Sequence, residues 1–197
     1  MRIAAKYLTS FLILLAAVIL ITSRPRLPRQ DVRYAILDIP SILGDSWNTT
    51  GVRQPELLED LAGRPASLIG RAEIEARRED EFAVFIAQFV FLYAEEAEAL
   101  TRYVIQDEVI FYEFPDRPER YPWKDIEIGL NLNADEYHIA CRDDDASALN
   151  TRCTAILLYG RHVVYFNMWT MRNGIEYISS QDMDRIFSEI DAILTSR

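Results

Sequence analysis

The chain has 197 residues, enough for one domain with an appendage, and half of them are apolar, so it can bury a core of its own. Its charge is unevenly spread: residues 1–33 carry six Lys/Arg and one acid, whereas residues 34–197 carry 15 basic and 30 acidic residues, a net −15. A domain of that sign repels nucleic acid and anionic lipid surfaces, which excludes a nucleic-acid partner.

The N-terminal stretch Tyr7–Ser23 contains no charge, and Phe11–Ile21 is wholly apolar. Its 17 residues are at the short end for a helix crossing a hydrocarbon core about 30 Å thick. The same run, behind Arg2 and Lys6, fits the central region of a signal peptide. A cut after Ser23 would put Ile21 three positions before it and Pro25 just after, which is poor cleavage chemistry. An uncleaved anchor contacting the membrane through residues 7–23 is therefore preferred, with a cleaved, secreted or periplasmic form as the alternative. No Cys follows the run, so a lipid-modified lipoprotein is excluded. Arg24–Arg29, RPRLPR, reads as a stiff, extended spacer. The expected division is a hydrophobic helix over 1–23, a basic Pro-containing linker over 24–33, and an α+β domain over 34–197.

Tyr34–Ile39 is a short apolar segment ended by Pro40. Residues 43–51, LGDSWNTTG, carry turn chemistry around Trp47, and Asn48-Thr49-Thr50 matches a glycosylation sequon that is common by chance. Pro55–Leu61 has Pro near its first turn and Gly63 past its end, the punctuation of a helix. Ala72, Ile74 and Ala76 alternate with Glu73, Glu75 and Arg77, which predicts a half-exposed strand. After a charged turn, Phe82–Tyr93 is almost wholly apolar and reads as a buried central strand. Glu95–Val104 reads as a helix packing through Ala97, Leu100 and Val104, and Glu108–Phe114 as a further strand. Residues 115–123, PDRPERYPW, hold too many prolines for regular structure and read as a surface excursion. Ile126, Ile128, Leu130 and Leu132 alternate with polar or small residues, the pattern of an edge strand, with Tyr137–Cys141 as its neighbour.

The C-terminal unit is the clearest. Thr154–Tyr159 and His162–Trp169 are rich in residues that suit a pleated, packed surface, and Gly160-Arg161 between them suits a two-residue hairpin turn with positive φ at the glycine. In Ser180–Leu194, the residues Met183, Ile186, Phe187, Ile190, Ile193 and Leu194 form one helical stripe, and Ser179 or Ser180 can cap the start. Strand, strand, helix thus occurs twice, in residues 72–104 and 153–194. The fold class is α+β, an antiparallel sheet built from two strand–strand–helix units with helices packed on it.

Cys141 and Cys153 are the only cysteines. They sit at the ends of adjacent predicted strands around a polar loop. A bridge between them closes a loop of about 13 residues and stabilises by roughly 3 kcal/mol on the chain-entropy estimate. Two buried thiols are the alternative. Such bridges persist in oxidising compartments, which places the domain outside the cytoplasm. Arg24, Arg26, Arg29 and Arg33 oppose this, because positive residues bias their side of an anchor toward the cytoplasm. The cysteine pair is given the greater weight.

Catalytic motifs are missing from the sequence: no nucleophile elbow, no phosphate-cradling glycine loop and no HExxH helix. His138 and His162 fall inside predicted strands, and no cofactor is implied. Asp143 and Asp145 are weak metal candidates. Their loop begins like a calcium site but puts Ala148 where glycine belongs and Thr154 where a bidentate glutamate belongs. Trp47, Tyr121 and Trp123 stand in Pro- and Gly-rich stretches and are the candidate ligand or partner surface.

The stretches FAVFIAQFVFLYAEEAEAL and CTAILLYGRHVVYFNMW, the latter with the last helix, resemble small extracytoplasmic α+β domains of bacterial membrane-anchored sensor or lipoprotein-type proteins. The resemblance covers about a third of the chain and implies architecture and location, not a reaction. The expectation is a membrane-anchored extracytoplasmic binding or interaction module without catalysis and with an unknown protein or small-molecule partner. The alternatives are a carboxylate- or metal-dependent hydrolase and a cytoplasm-facing anchored scaffold.

Overall fold

A computed structural model describes residues 27–54, 67–78, 84–112, 122–126, 129–143, 150–171 and 179–196. The expected hydrophobic helix of residues 1–23 and the expected helix Pro55–Leu61 lie outside them. Among the described residues, no helix is long and apolar enough to cross a membrane.

The fold is α+β, built on one antiparallel sheet. Its strands are β1 (Trp47–Thr49), β2 (Leu68–Arg78), β3 (Val84–Tyr93), β4 (Lys124–Asp125), β5 (Glu136–Asp143), β6 (Asn150–Tyr159) and β7 (His162–Met171). Across the sheet their order is β1-β2-β3-β7-β6-β5-β4. The two expected hairpins, β2–β3 and β6–β7, meet through β3 and β7 at its centre, as their apolar sequences require. Tyr159 pairs with His162 across the second turn, and Gly160 has φ +53°, the left-handed backbone that a two-residue hairpin turn needs.

Side chains alternate between two cores, one on each face of the sheet. On one face, Ile74, Ile86, Val90, Leu157, Phe166 and Met168 pack against the C-terminal helix and the segment before β1. That segment holds a 3-10 turn (Arg33–Ala35) and α1 (Ile39–Leu43). Pro40 starts α1 rather than ending an apolar run, since proline at the first turn loses no helical hydrogen bond. Packing onto the sheet begins inside the stretch read as linker. The Gln30 N–H donates to Ile69 O at 2.8 Å, and Val32 is fully buried. Gly70 makes this approach possible, because a Cβ there would lie 2.7 Å from Val32 Cγ1 and 2.9 Å from Gln30 O. Gln88, fully buried in β3, accepts from Leu37 N (2.9 Å) and donates to Ala35 O (3.0 Å), so the incoming segment is hydrogen-bonded to the sheet's centre.

The helix α2 (Glu96–Phe111) covers part of the other face, and α3 (Ser180–Thr195) covers the first. The sequence periodicity describes α3 well: Met183, Ile186, Phe187, Ile190 and Leu194 are buried, Ile193 is partly buried, and Ser179 and Asp182 form a reciprocal capping box. For α2 it fails twice. The helix continues to Phe111, through residues expected as a strand from Glu108. Its buried stripe is Ala99, Tyr103 and Phe111, whereas Leu100 is 45% and Val104 52% exposed. The helix is apolar on two sides, and the sheet takes the side carrying the large rings.

Two other stretches differ from expectation at the sheet's edges. Trp47, expected in a loop, opens the edge strand β1 and pairs with Arg78. The alternating stretch Ile126–Leu132 is not a strand in its described residues. The Ile126 N–H makes a ladder bond to Ile139 O, and residues 129–132 lie outside the strands. Leu130 and Leu132 then pack against the core beneath α3, which accounts for their apolar character without strand pairing.

Candidate functional site

The expected aromatic surface does not assemble from its tryptophans. Trp47 is 4% exposed and belongs to the core on the α3 face. Trp123 precedes β4 at the opposite edge, where it packs edge-on against Phe111 at 5.0 Å between ring centroids. Six strand spacings of ~4.8 Å put these two edges roughly 29 Å apart. Tyr121 lies outside the described residues. So does Asp145, while Asp143 ends β5. Among the described residues no three His, Cys, Asp or Glu side chains gather as a metal site.

The cysteines are joined. Cys141 on β5 and Cys153 on β6 are directly opposed in the ladder and form a disulfide, with Cα atoms 4.0 Å apart. The bridge therefore fixes the register of these two strands.

Beside it, the register lines up a row of residues on the α2 face. Arg77 (β2) is opposite Phe85 (β3), Phe85 opposite Trp169 (β7), Trp169 opposite Arg152 (β6), and Arg152 opposite Arg142 (β5). Phe85 and Trp169 touch, with centroids 5.1 Å apart. The Arg77 guanidinium lies 5.5 Å from the Phe85 ring centre, that of Arg152 5.0 Å from Trp169, and that of Arg142 4.6 Å from Trp123. Arginine over an aromatic face is held by the ring quadrupole. Arg77 is exposed, and Phe85, Trp169, Arg152, Arg142 and Trp123 are half-buried. The sequence conceals this row, because its members are scattered between residues 77 and 169 and only strand register brings them together.

Next along the strands comes the row Glu75, Ala87, Asn167, Thr154 and Ala140, in which Thr154 donates to Asn167 Oδ1 at 3.0 Å. Beyond these, α2 closes over Ile156, Leu158 and Val163. Burial pushes the Tyr93 hydroxyl up to about 12, and it raises Tyr103 and Tyr165 further. Neutral phenols are therefore part of the seal.

His138 ties the far end of α2 to the sheet. Its ring stacks on Phe111 at 3.8 Å. Nδ1 lies 2.6 Å from Asp107 on α2, and Nε2 lies 3.2 Å from Asp125 on β4. A neutral imidazole donates to one of these carboxylates, an imidazolium to both. His162 instead meets the Tyr34 hydroxyl at 2.7 Å, linking β7 to the segment before α1. A separate surface groove of about 590 Å³ runs between Ser41–Ile42, Leu130 and the Gln181–Glu189 side of α3.

An antiparallel sheet with a helix on each face and a cross-strand disulfide near one end defines the architecture. The fold is similar to that of the extracellular domain of PknH from Mycobacterium tuberculosis. That structure matches with a TM-score of 0.57 at 8% identity, over 88% of this chain and 100% of that one. At that identity the likeness is one of fold. No protein-family model and no curated protein sequence matches the chain.

Proposed function

We propose that the chain is a membrane-anchored extracytoplasmic binding module that works without catalysis. The observation that carries the location is the Cys141–Cys153 disulfide, since such bonds persist in oxidising surroundings. The fold shared with an extracellular domain supports the same reading. Residues 7–23 supply the anchor in this proposal, with residues 34–197 on the outer side. What supports binding is the outward side of α2, where Leu100 and Val104 are exposed.

The location is tested by counting thiols on the full chain taken from its native membrane, denatured with and without reductant. The expected result is no free thiol before reduction and two after. Two free thiols before reduction would overturn the location and favour a cytoplasm-facing scaffold. Protease treatment of intact, cell-wall-stripped cells gives a second readout, with residues 34–197 expected to be cut from outside.

A further inference from the structure

We propose that the outward side of α2 is a docking ridge for a basic amphipathic helix of a partner protein. The inference rests on the binding-module reading above and adds the place of binding and the chemistry of the partner.

Apolar exposure is the first argument. The sheet takes only one side of α2, through Ala99, Tyr103 and Phe111. Away from it, Leu100, Val104 and Ile105 are exposed, and so is Tyr112 at the C-cap. Single apolar residues on a surface are ordinary, but neighbours on successive turns of one helix make a patch. Val104 and Ile105 are also β-branched, which costs side-chain freedom in a helix. Nothing inside the domain offsets that cost at exposed positions, whereas burial under a partner does.

Charge is the second. Glu95 and Glu96 stand exposed at the start of α2, and Glu108 stands exposed near its end. At ~1.5 Å per residue, Glu96 and Glu108 are ~18 Å apart along the axis, with Leu100, Val104 and Ile105 between them. The single basic residue of the helix, Arg102, is already engaged by Glu98 at 3.4 Å. The ridge is therefore apolar in the middle and acidic at both ends. Its complement is a helix of similar length, apolar along one side and carrying Lys or Arg in its end turns. Laid antiparallel, that helix brings its last turn to Glu95 and Glu96, and a helix's last turn is where its own dipole favours cations.

Other occupants fit less well. A second copy laid antiparallel on α2 sets Glu95 and Glu96 beside a helix end with no basic residue in its last turn. An anionic membrane plane is repelled by a domain of net −15.

The test uses the full chain in phosphatidylcholine nanodiscs, with empty nanodiscs as the blank. The probe is a fluorescein-labelled synthetic helix of about 18 residues, with leucine at every third or fourth position and lysines in its end turns. Anisotropy is expected to show saturable binding that weakens with added salt. A peptide with glutamate in place of each lysine should bind at least tenfold more weakly, by roughly that order of charge reversal. Leu100→Gln together with Val104→Gln should lower affinity by roughly tenfold and leave the salt dependence in place. Glu96→Gln together with Glu108→Gln should lower it by roughly threefold and flatten the salt dependence. Each variant is checked by circular dichroism; should the Leu100 and Val104 pair fail to fold, Val104→Gln alone carries the apolar arm. The proposal is overturned by no saturable binding, by equal binding of the two peptides, or by unchanged affinity in the apolar variant. Self-association in sedimentation that Val104→Gln abolishes, with no peptide bound, would overturn it in favour of a second copy. Binding no greater than that of empty nanodiscs would overturn it in favour of a lipid surface. Thiol state enters none of these outcomes, so the ridge and the location fail separately.

Discussion

The two faces of the sheet are built from the same strands by alternation, yet they are closed in different ways. On the α3 face, one helix and the chain from Gln30 to Leu43 cover the sheet together, burying Ile86, Phe166, Phe187 and Ile190 almost completely. On the α2 face, a helix of the same length covers only one end, and arginines and aromatic rings occupy the other. What differs is the chain packed alongside the helix. Among the described residues the α3 face is therefore the more completely buried of the two.

The largest test of that contrast is a charge placed under α3. Ile190→Asp puts an unpaired carboxylate among fully buried side chains and should cost about 4 kcal/mol in urea unfolding. An unchanged midpoint would mean that this face is not sealed. Removing the bridge with Cys141→Ser and Cys153→Ser together should cost about 3 kcal/mol by the loop-closure estimate, read as a lower thermal midpoint in the variant than in the oxidised parent.

Gly70→Ala tests the incoming segment. Its new Cβ meets Val32 and the Gln30 carbonyl, with an expected loss of about 2 kcal/mol. A neutral result would show that residues 30–32 shift aside at little cost.

Alkaline pH should act mainly on the α2 face, where Tyr93, Tyr103 and Tyr165 lie. Tyr93 ionises at 10.0 when unfolded and at about 12 when folded, so folding favours its neutral form. Its stabilisation is complete below pH 10 and is lost as pH rises toward 12, by on the order of 1 kcal/mol per pH unit. Tyr103 and Tyr165 add to the loss in the same direction. Denaturation midpoints should therefore hold between pH 9 and pH 10 and fall from there to pH 12. A flat profile would contradict the burial of these phenols.

The smallest expected effect is that of Val104→Asp, on the outward side of α2. It should change stability by no more than about 0.5 kcal/mol, against the large loss at Ile190.

How much the sequence revealed follows the same division between faces. The stripe of α3 was legible because its apolar residues lie on one side only. Those of α2 lie on two, and periodicity cannot choose between Leu100–Val104 and Ala99–Tyr103. The strand propensity of Glu108–Phe111 gave way to tertiary contacts, in which Phe111 stacks on His138 and meets Trp123. The cysteine pairing was legible because two strand ends flanked one loop. The arginine row was not, since it exists only as a set of cross-strand neighbours. Trp47 illustrates the converse, a tryptophan in turn-like sequence that fills the core from an edge strand.

The way the chain enters the domain has a mechanical consequence. Tension applied to the residues before Gln30 meets no slack tether between that point and the sheet. It passes at once to the Gln30–Ile69 hydrogen bond, then to Val32 seated over Gly70, then to the clasp that Gln88 makes on Ala35 and Leu37. A pull from the N-terminal side is therefore borne by β2 and β3, at the centre of the sheet rather than at its edge.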